Sequence, residues 1–206
     1  MINEYLSNIN LKETNPILVS LREYALEFNV PIITIEGINF LNQIIELKTV
    51  KNILEIGTAI GYSAINMALH SNCKITTIER DLDIFKIAEV NIKEANCHHQ
   101  ITQVFGDALL IDETTLGEFD LIFIDAAKAQ SIKFFEKYEG NLSRNGIVIT
   151  DNLLFHDLVV AEIKDKNLKQ LVRKIDAFNK YVVNKEGYNT YLYNIGDGMS
   201  LSIRKK

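Results

Sequence analysis

Two rhythms of apolar residues divide the chain. Up to about residue 50, apolar positions recur every three or four residues, the period of a helix with one buried face. Asn15-Pro16 offers an N-cap and a proline suited to the first helical position; Leu18, Leu21, Ala25 and Phe28 follow at helical spacing, and Asn29 to Pro31 end the helix. Leu18, Leu21 and Phe28 are expected in the core. A second helix is predicted from about Glu36 to Leu47, with Ile38, Leu41 and Ile45 on one face.

After Lys51 short, nearly continuous apolar runs alternate with helical patterns. "NILEI", "CKITTIE", "QITQVF", "FDLIFID" and "GIVITDN" read as strands. Between them "GYSAINMALH", "DIFKIAEVNIKEA" (Ile84, Ile87 and Ala88 inward) and "SIKFFEKYEGNL" read as helices. This alternation predicts a parallel sheet covered on both faces. The tail differs: a helix over "NLKQLVRKIDAFNKYVV", then "YNTYLYNI" and "GMSLSIRK" joined by "GDG", an antiparallel hairpin. A single α/β domain is expected, with residues 1–50 as a helical N-terminal cap and 51–206 as a Rossmann-like core.

Composition adds little except by exclusion. With 22 Lys and Arg against 27 Asp and Glu, the net charge is -5, so no whole-molecule basic field draws in nucleic acid or anionic membrane. Two cysteines, Cys73 and Cys97, make neither a disulfide framework nor a metal-like spacing. The first ten residues lack the charged and apolar regions of a signal peptide, and no run reaches the roughly 18 apolar residues of a membrane span. A cytoplasmic location is expected.

The candidate chemistry sits at strand ends. In a doubly wound sheet, ligands bind outside the carboxyl ends of the strands. "LEIGTAIGYS" places Gly57 at such an end, where backbone can approach a ligand closely, and Gly61 at a helix start, where it permits tight packing. The G-x-x-x-G spacing is looser than a dinucleotide fingerprint, and a P-loop lysine is missing. Glu79, 22 residues after Gly57, could hold ribose hydroxyls; Asp107 and the Ala108 amide, ending the third strand, could meet an adenine edge. Singly, these are a turn glycine, a solvated strand end and a loop cap. Together, in order, they suit S-adenosylmethionine.

A second group follows. "FIDAAK" puts Asp125 and Lys128 after the fourth strand, and "VITDN" puts Asp151 and Asn152 after the fifth. If the strand order runs 3-2-1-4-5, both ends face one volume beside Gly57. Two carboxylates and an amide oxygen suit Mg²⁺ or another divalent cation. Such a cation favours the anion of an acceptor hydroxyl, whose pKa is otherwise about 10 for a phenol. Lys128 could take the proton, or be a surface lysine at a helix start.

With these residues, the chain resembles the cation-dependent O-methyltransferases, the class of catechol and caffeoyl-CoA O-methyltransferases. "LEIGTAIGYS", "FIDAAK" and "TDN" carry the resemblance. It implies a seven-stranded Rossmann-like sheet of order 3-2-1-4-5-7-6 with the last strand antiparallel, and a homodimer. It implies S-adenosylmethionine contacts from Ile32, Glu55, Gly57, Ser63, Glu79, Asp107, Ala108 and Asp125. Metal ligation falls on Asp125, Asp151 and Asn152, and the catalytic positions on Lys128 and Asp125. "EYALEFNVPIITIEGINFL" with "KNILEIGTAIGYSAINMA" is most similar to bacterial tRNA 5-hydroxyuridine methyltransferases, which act in the anticodon loop.

Catechol and 5-hydroxyuridine both present adjacent oxygens, so the site chemistry fits a small phenol or a tRNA. RNA phosphates need cations. Lys164, Lys166, Lys169, Arg173 and Lys174 form one candidate cluster, and Arg204 to Lys206 a second; a solvated helix face is the plainer reading. Phe155 and His156 could line the substrate mouth. A non-catalytic cofactor-binding protein and an NAD-dependent reductase are the competing classes. The intact Asp125, Lys128, Asp151, Asn152 set argues against the first, the glycine spacing against the second.

Overall fold

The computed structural model describes residues 2–205. Three helices, α1 (Ile2–Ile9), α2 (Pro16–Glu27) and α3 (Ile35–Lys48), precede the sheet. Asn15 caps α2 by accepting from the Ile17 N–H, and Thr34 caps α3 by accepting from the Gly37 N–H. The amphipathic α1 did not register in the apolar spacing. Phe28, expected in the core, is 57% exposed. It occupies the C-cap of α2, beyond the buried Leu18, Leu21 and Ala25, and packs its ring 4.5 Å from that of Tyr24.

The remaining elements are β1 (Asn52–Ile56), α4 (Tyr62–His70), β2 (Lys74–Glu79), α5 (Leu82–Glu94), β3 (Ile101–Phe105), β4 (Phe119–Ile124), α6 (Ser131–Tyr138), β5 (Leu142–Thr150), α7 (Lys166–Asn184), β6 (Tyr188–Tyr193) and β7 (Met199–Arg204). The helix predicted over 131–142 ends earlier: a 3₁₀ turn at Glu139–Asn141 closes it, and Leu142 already belongs to β5. In the preceding helix of the sheet's first half, Ala88 is fully buried while Ile84 and Ile87 are only partly so. The sheet order is β3-β2-β1-β4-β5-β7-β6. β1 to β5 pair in parallel, and β7 runs antiparallel to both neighbours.

Alternation along each strand divides the core. Ile53, Leu121, Phe123, Ile147 and Ile149 face α2, α3 and α4. Leu54, Ile56, Ile122, Ile124 and Val148 face the other way, toward Phe134 and Phe135 of α6 and Phe178 of α7. Because both faces are covered, the central strands carry few polar side chains, and the exceptions mark the site. Both cysteines are free and buried. No helix among the described residues is long and apolar enough to cross a membrane.

Candidate active site

The carboxyl ends of β1, β2, β3 and β4 surround one cavity of about 450 Å³. At the end of β1 the chain turns sharply. Gly57 has φ +103°, and a Cβ there would collide with the Asp125 carbonyl oxygen. Glycine is therefore required twice over, by conformation and by contact with the end of β4. Gly61 (φ +86°) is the N-cap of α4. A Cβ there would meet Ile65, Ala88 and Ile92 at 3.5–3.6 Å, an ordinary contact. Its conformation, rather than the tight packing expected, calls for glycine.

Beneath this turn lies a buried polar chain. Glu55 is fully buried and accepts from the Ser63 and Thr77 hydroxyls. Thr77 in turn shares a 2.6 Å hydrogen bond with Thr58. Burial pushes the Glu55 carboxyl up to about 8; the charges of Asp125 and Glu79 add to this, and the two hydroxyl bonds oppose it. Glu55 does not itself line the cavity, whereas Ser63 and Thr58 do. Its influence on a ligand therefore passes through them.

Glu79, at the end of β2, lines the cavity with both oxygens engaged. Oε2 accepts from the Ala59 N–H at 3.0 Å, and Oε1 from the Arg80 and Asp81 N–H groups at 2.9 Å each. The backbone thus fixes the carboxylate at the mouth. Asp107 accepts from the Leu109 N–H at 2.8 Å, and the Tyr138 hydroxyl donates to the Ala108 carbonyl at 2.6 Å. That bond sets the Ala108 peptide plane at the cavity wall. Ile32, from the segment before α3, closes the opposite side.

Asp125 and Lys128 border the same cavity, and Lys128 Nζ donates to Asp125 Oδ1 at 2.7 Å. Asp151 and Asn152 stand behind this lining. Asp151 is 3% exposed, and its Oδ1 accepts from the Asn152 N–H at 2.7 Å. Burial, then the charge of Asp125, pushes the Asp151 carboxyl up to about 7. Asn152 sits at φ +64°, and its Oδ1 is buried without a hydrogen-bond partner. A buried acceptor left unpaired is costly, and a cation would satisfy it. Among the described residues no three His, Cys, Asp or Glu side chains gather as a metal site. The donor set that fits a hard divalent cation is instead two carboxylates and this amide oxygen.

The mouth is edged by Phe155, a lining residue, while the His156 side chain is 81% exposed. Lys164, Lys166, Lys169, Arg173 and Lys174 are all exposed, and none forms an ion pair among the described residues. The helix that carries four of them, α7, packs against Lys128–Gln130 at the cavity edge. Of the second basic candidate, Lys205 is exposed. Arg204 donates to the carbonyls of Leu142 (2.5 Å) and Glu139 (2.7 Å), a structural tie, and Lys206 lies outside the described residues.

Pattern reading passed over Thr58, Tyr62, Thr77 and Phe134. Thr77 pairs in register with Glu55, so two buried polar side chains meet between β1 and β2. Tyr62 is 2% exposed and resembled core.

Comparison with known proteins agrees with this geometry. A family model described as O-methyltransferase matches residues 8–205. A catechol O-methyltransferase of Niastella koreensis is 32% identical, covering 99% of this chain and 96% of that protein. A caffeoyl-CoA O-methyltransferase of Populus kitakamiensis is 29% identical over 80% of this chain and 74% of its own. Among solved structures, a Staphylococcus aureus protein provisionally named a caffeoyl-CoA O-methyltransferase superposes with a TM-score of 0.93 at 38% identity, covering both chains fully. An O-methyltransferase from Bacillus cereus, solved with SAH, shares the fold (TM-score 0.83, 24% identity, 99% and 97% of the two chains). The chain belongs to the S-adenosylmethionine-dependent O-methyltransferase family, of the caffeoyl-CoA and catechol type.

Proposed function

We propose that this protein methylates one of two adjacent oxygens on its acceptor, with a divalent cation such as Mg²⁺, and that the acceptor is 5-hydroxyuridine in a tRNA anticodon loop. The cation reading is carried by one observation, the buried and unpartnered Asn152 Oδ1 next to Asp151, a buried carboxyl that feels the charge of Asp125. S-Adenosylmethionine would supply an electrophilic methyl group in the cavity. A bound divalent cation would supply positive charge favouring the ionised acceptor hydroxyl.

The chain's own residues do the rest. Glu79 and the Ala108 peptide, both held by hydrogen bonds, present fixed groups for the ribose and adenine of the donor. Gly57 keeps the β1 turn against the backbone of Asp125, so the donor and acceptor halves of the cavity share one wall. Lys128 Nζ, anchored to Asp125, stands at that wall to receive the acceptor's proton or to hold its anion by charge. Phe155 offers a flat apolar edge to the acceptor ring.

The RNA acceptor is supported by the exposed basic face of α7 beside the mouth. Phosphate contacts of that kind position a loop whose base is splayed into a pocket. A small catechol-like phenol is the second reading, favoured by the similarity to a catechol O-methyltransferase. Mass spectrometry of tRNA nucleosides from cells lacking the protein separates them. Loss of 5-methoxyuridine, with negligible catechol turnover by the purified protein, is the expected result. Unchanged tRNA with robust catechol methylation would reverse the assignment.

A further inference from the structure

Asp197, in the "GDG" turn between β6 and β7, is remote in sequence from Asn152 and His156, yet it touches both. It is 9% exposed. Its Oδ1 accepts from the His156 N–H at 2.5 Å, and its Oδ2 lies 3.4 Å from Asn152 Nδ2. The same turn accepts through its backbone: the Leu153 N–H donates to the Gly198 carbonyl and the Leu154 N–H to the Asp197 carbonyl, each at 2.9 Å. The β6–β7 turn therefore holds the whole segment that follows Asp151.

The chemistry of this contact fixes a direction. An ionised carboxylate only accepts hydrogen bonds, so Asn152 must turn its NH₂ toward Asp197. Its oxygen then points elsewhere, and it is this Oδ1 that is buried without a partner. Without Asp197, either end of the amide could face either way. The held segment is also one that needs holding: Asn152, Phe155, His156 and Asp157 all lie at positive φ, from 47° to 64°.

We propose that Asp197 is a positioning residue for cation binding, selecting the amide orientation in which Asn152 offers oxygen as a donor and docking the Phe155–His156 turn at the cavity mouth. The proposal rests on the divalent-cation reading given above. Loss of a hydrogen bond that orients a metal-ligating side chain typically lowers metal affinity by about 10–100-fold.

The test measures Mn²⁺ affinity of the full chain by electron paramagnetic resonance titration, without methyl donor or acceptor, and S-adenosylhomocysteine affinity by calorimetry on the same samples. Asp197→Asn is close to isosteric. Its amide has one oxygen for two donors, the His156 N–H and the Asn152 NH₂; keeping the shorter bond to His156 turns its own NH₂ toward Asn152, whose amide must then rotate. Mn²⁺ affinity is expected to fall at least about tenfold, with S-adenosylhomocysteine affinity within about twofold of wild type. Adding Asn152→Asp restores an acceptor opposite that NH₂ and a second oxygen for the metal, so the double variant should recover to within about threefold. Asp157→Asn removes an equal charge from the exposed part of the segment that Asp197 holds and should change Mn²⁺ affinity by less than about twofold. Wild-type affinity in Asp197→Asn, no recovery in the double variant, an equal loss in Asp157→Asn, or loss of S-adenosylhomocysteine binding in Asp197→Asn would each overturn the proposal. A wild-type chain that binds S-adenosylhomocysteine but no Mn²⁺ would instead overturn the cation reading on which it rests.

Discussion

Glu55 lies under the β1–α4 turn as a carboxyl whose neutral form is favoured through much of the neutral range. Its pKa in the folded chain, about 8, exceeds the ordinary value of 4.5. The folded state then holds this proton more tightly than the unfolded state between those values, so its contribution to stability falls as pH rises from about 4.5 to about 8. Glu55→Gln should flatten the decline of Tm between pH 5 and 8 in scanning calorimetry; an unchanged slope would mean that other groups set it. Asp151 offers a separate check. Asp151→Ala should cut turnover roughly a hundredfold or more while S-adenosylhomocysteine still binds, because the side chain stands behind the cavity lining rather than in it. Full activity in that variant would remove the metal-assisted mechanism.

At the scale of elements, the β1–α4 turn fastens the end of β1 to the end of β4 at the cavity wall. Gly57→Ala forces a side chain into a positive-φ position and against the Asp125 carbonyl. A loss of about 1–3 kcal/mol in stability is expected, with S-adenosylhomocysteine affinity reduced at least tenfold, readable by denaturant melts and calorimetry. This turn was legible in the sequence because a strand buried on both faces leaves a plain apolar run, and the break at Glu55 and Gly57 stands out against it. The same contrast marked Asp125 and Asp151, whereas Glu79 and Asp107 end more polar strands toward the β3 edge of the sheet. Asp197 and Thr77 were harder to see. Asp197 sits in an ordinary hairpin signal, and its role exists only because β7 lies beside β5, bringing residue 197 to residue 152. Phe28 misled because helical spacing gives the face of a residue but not whether the helix end still has anything to pack against. Arg204 misled because a terminal basic run gives no hint of the carbonyls its guanidinium ties.

For the molecule as a whole, a net charge of -5 coexists with a local run of exposed cations on and just before α7. Charge over the entire surface therefore says little about RNA, whereas its distribution says more. Reversing Lys166, Lys169 and Arg173 to Glu should weaken tRNA binding at least tenfold and lower its salt dependence, while turnover of a small catechol stays unchanged. Equal losses for both acceptors would point to a disturbed fold rather than a lost RNA contact. These positions are exposed, so stability should change little, as far-ultraviolet circular dichroism melts would report.

The sheet order holds one more consequence. β7 is the last strand in chain order, yet it fills the slot between β5 and β6. Without residues 199–204, β5 is left with an open edge and β6 with no strand to pair with. A chain interrupted before Met199 would be sticky and prone to self-association, and a peptide spanning 199–205 added in trans should slot in and rescue it.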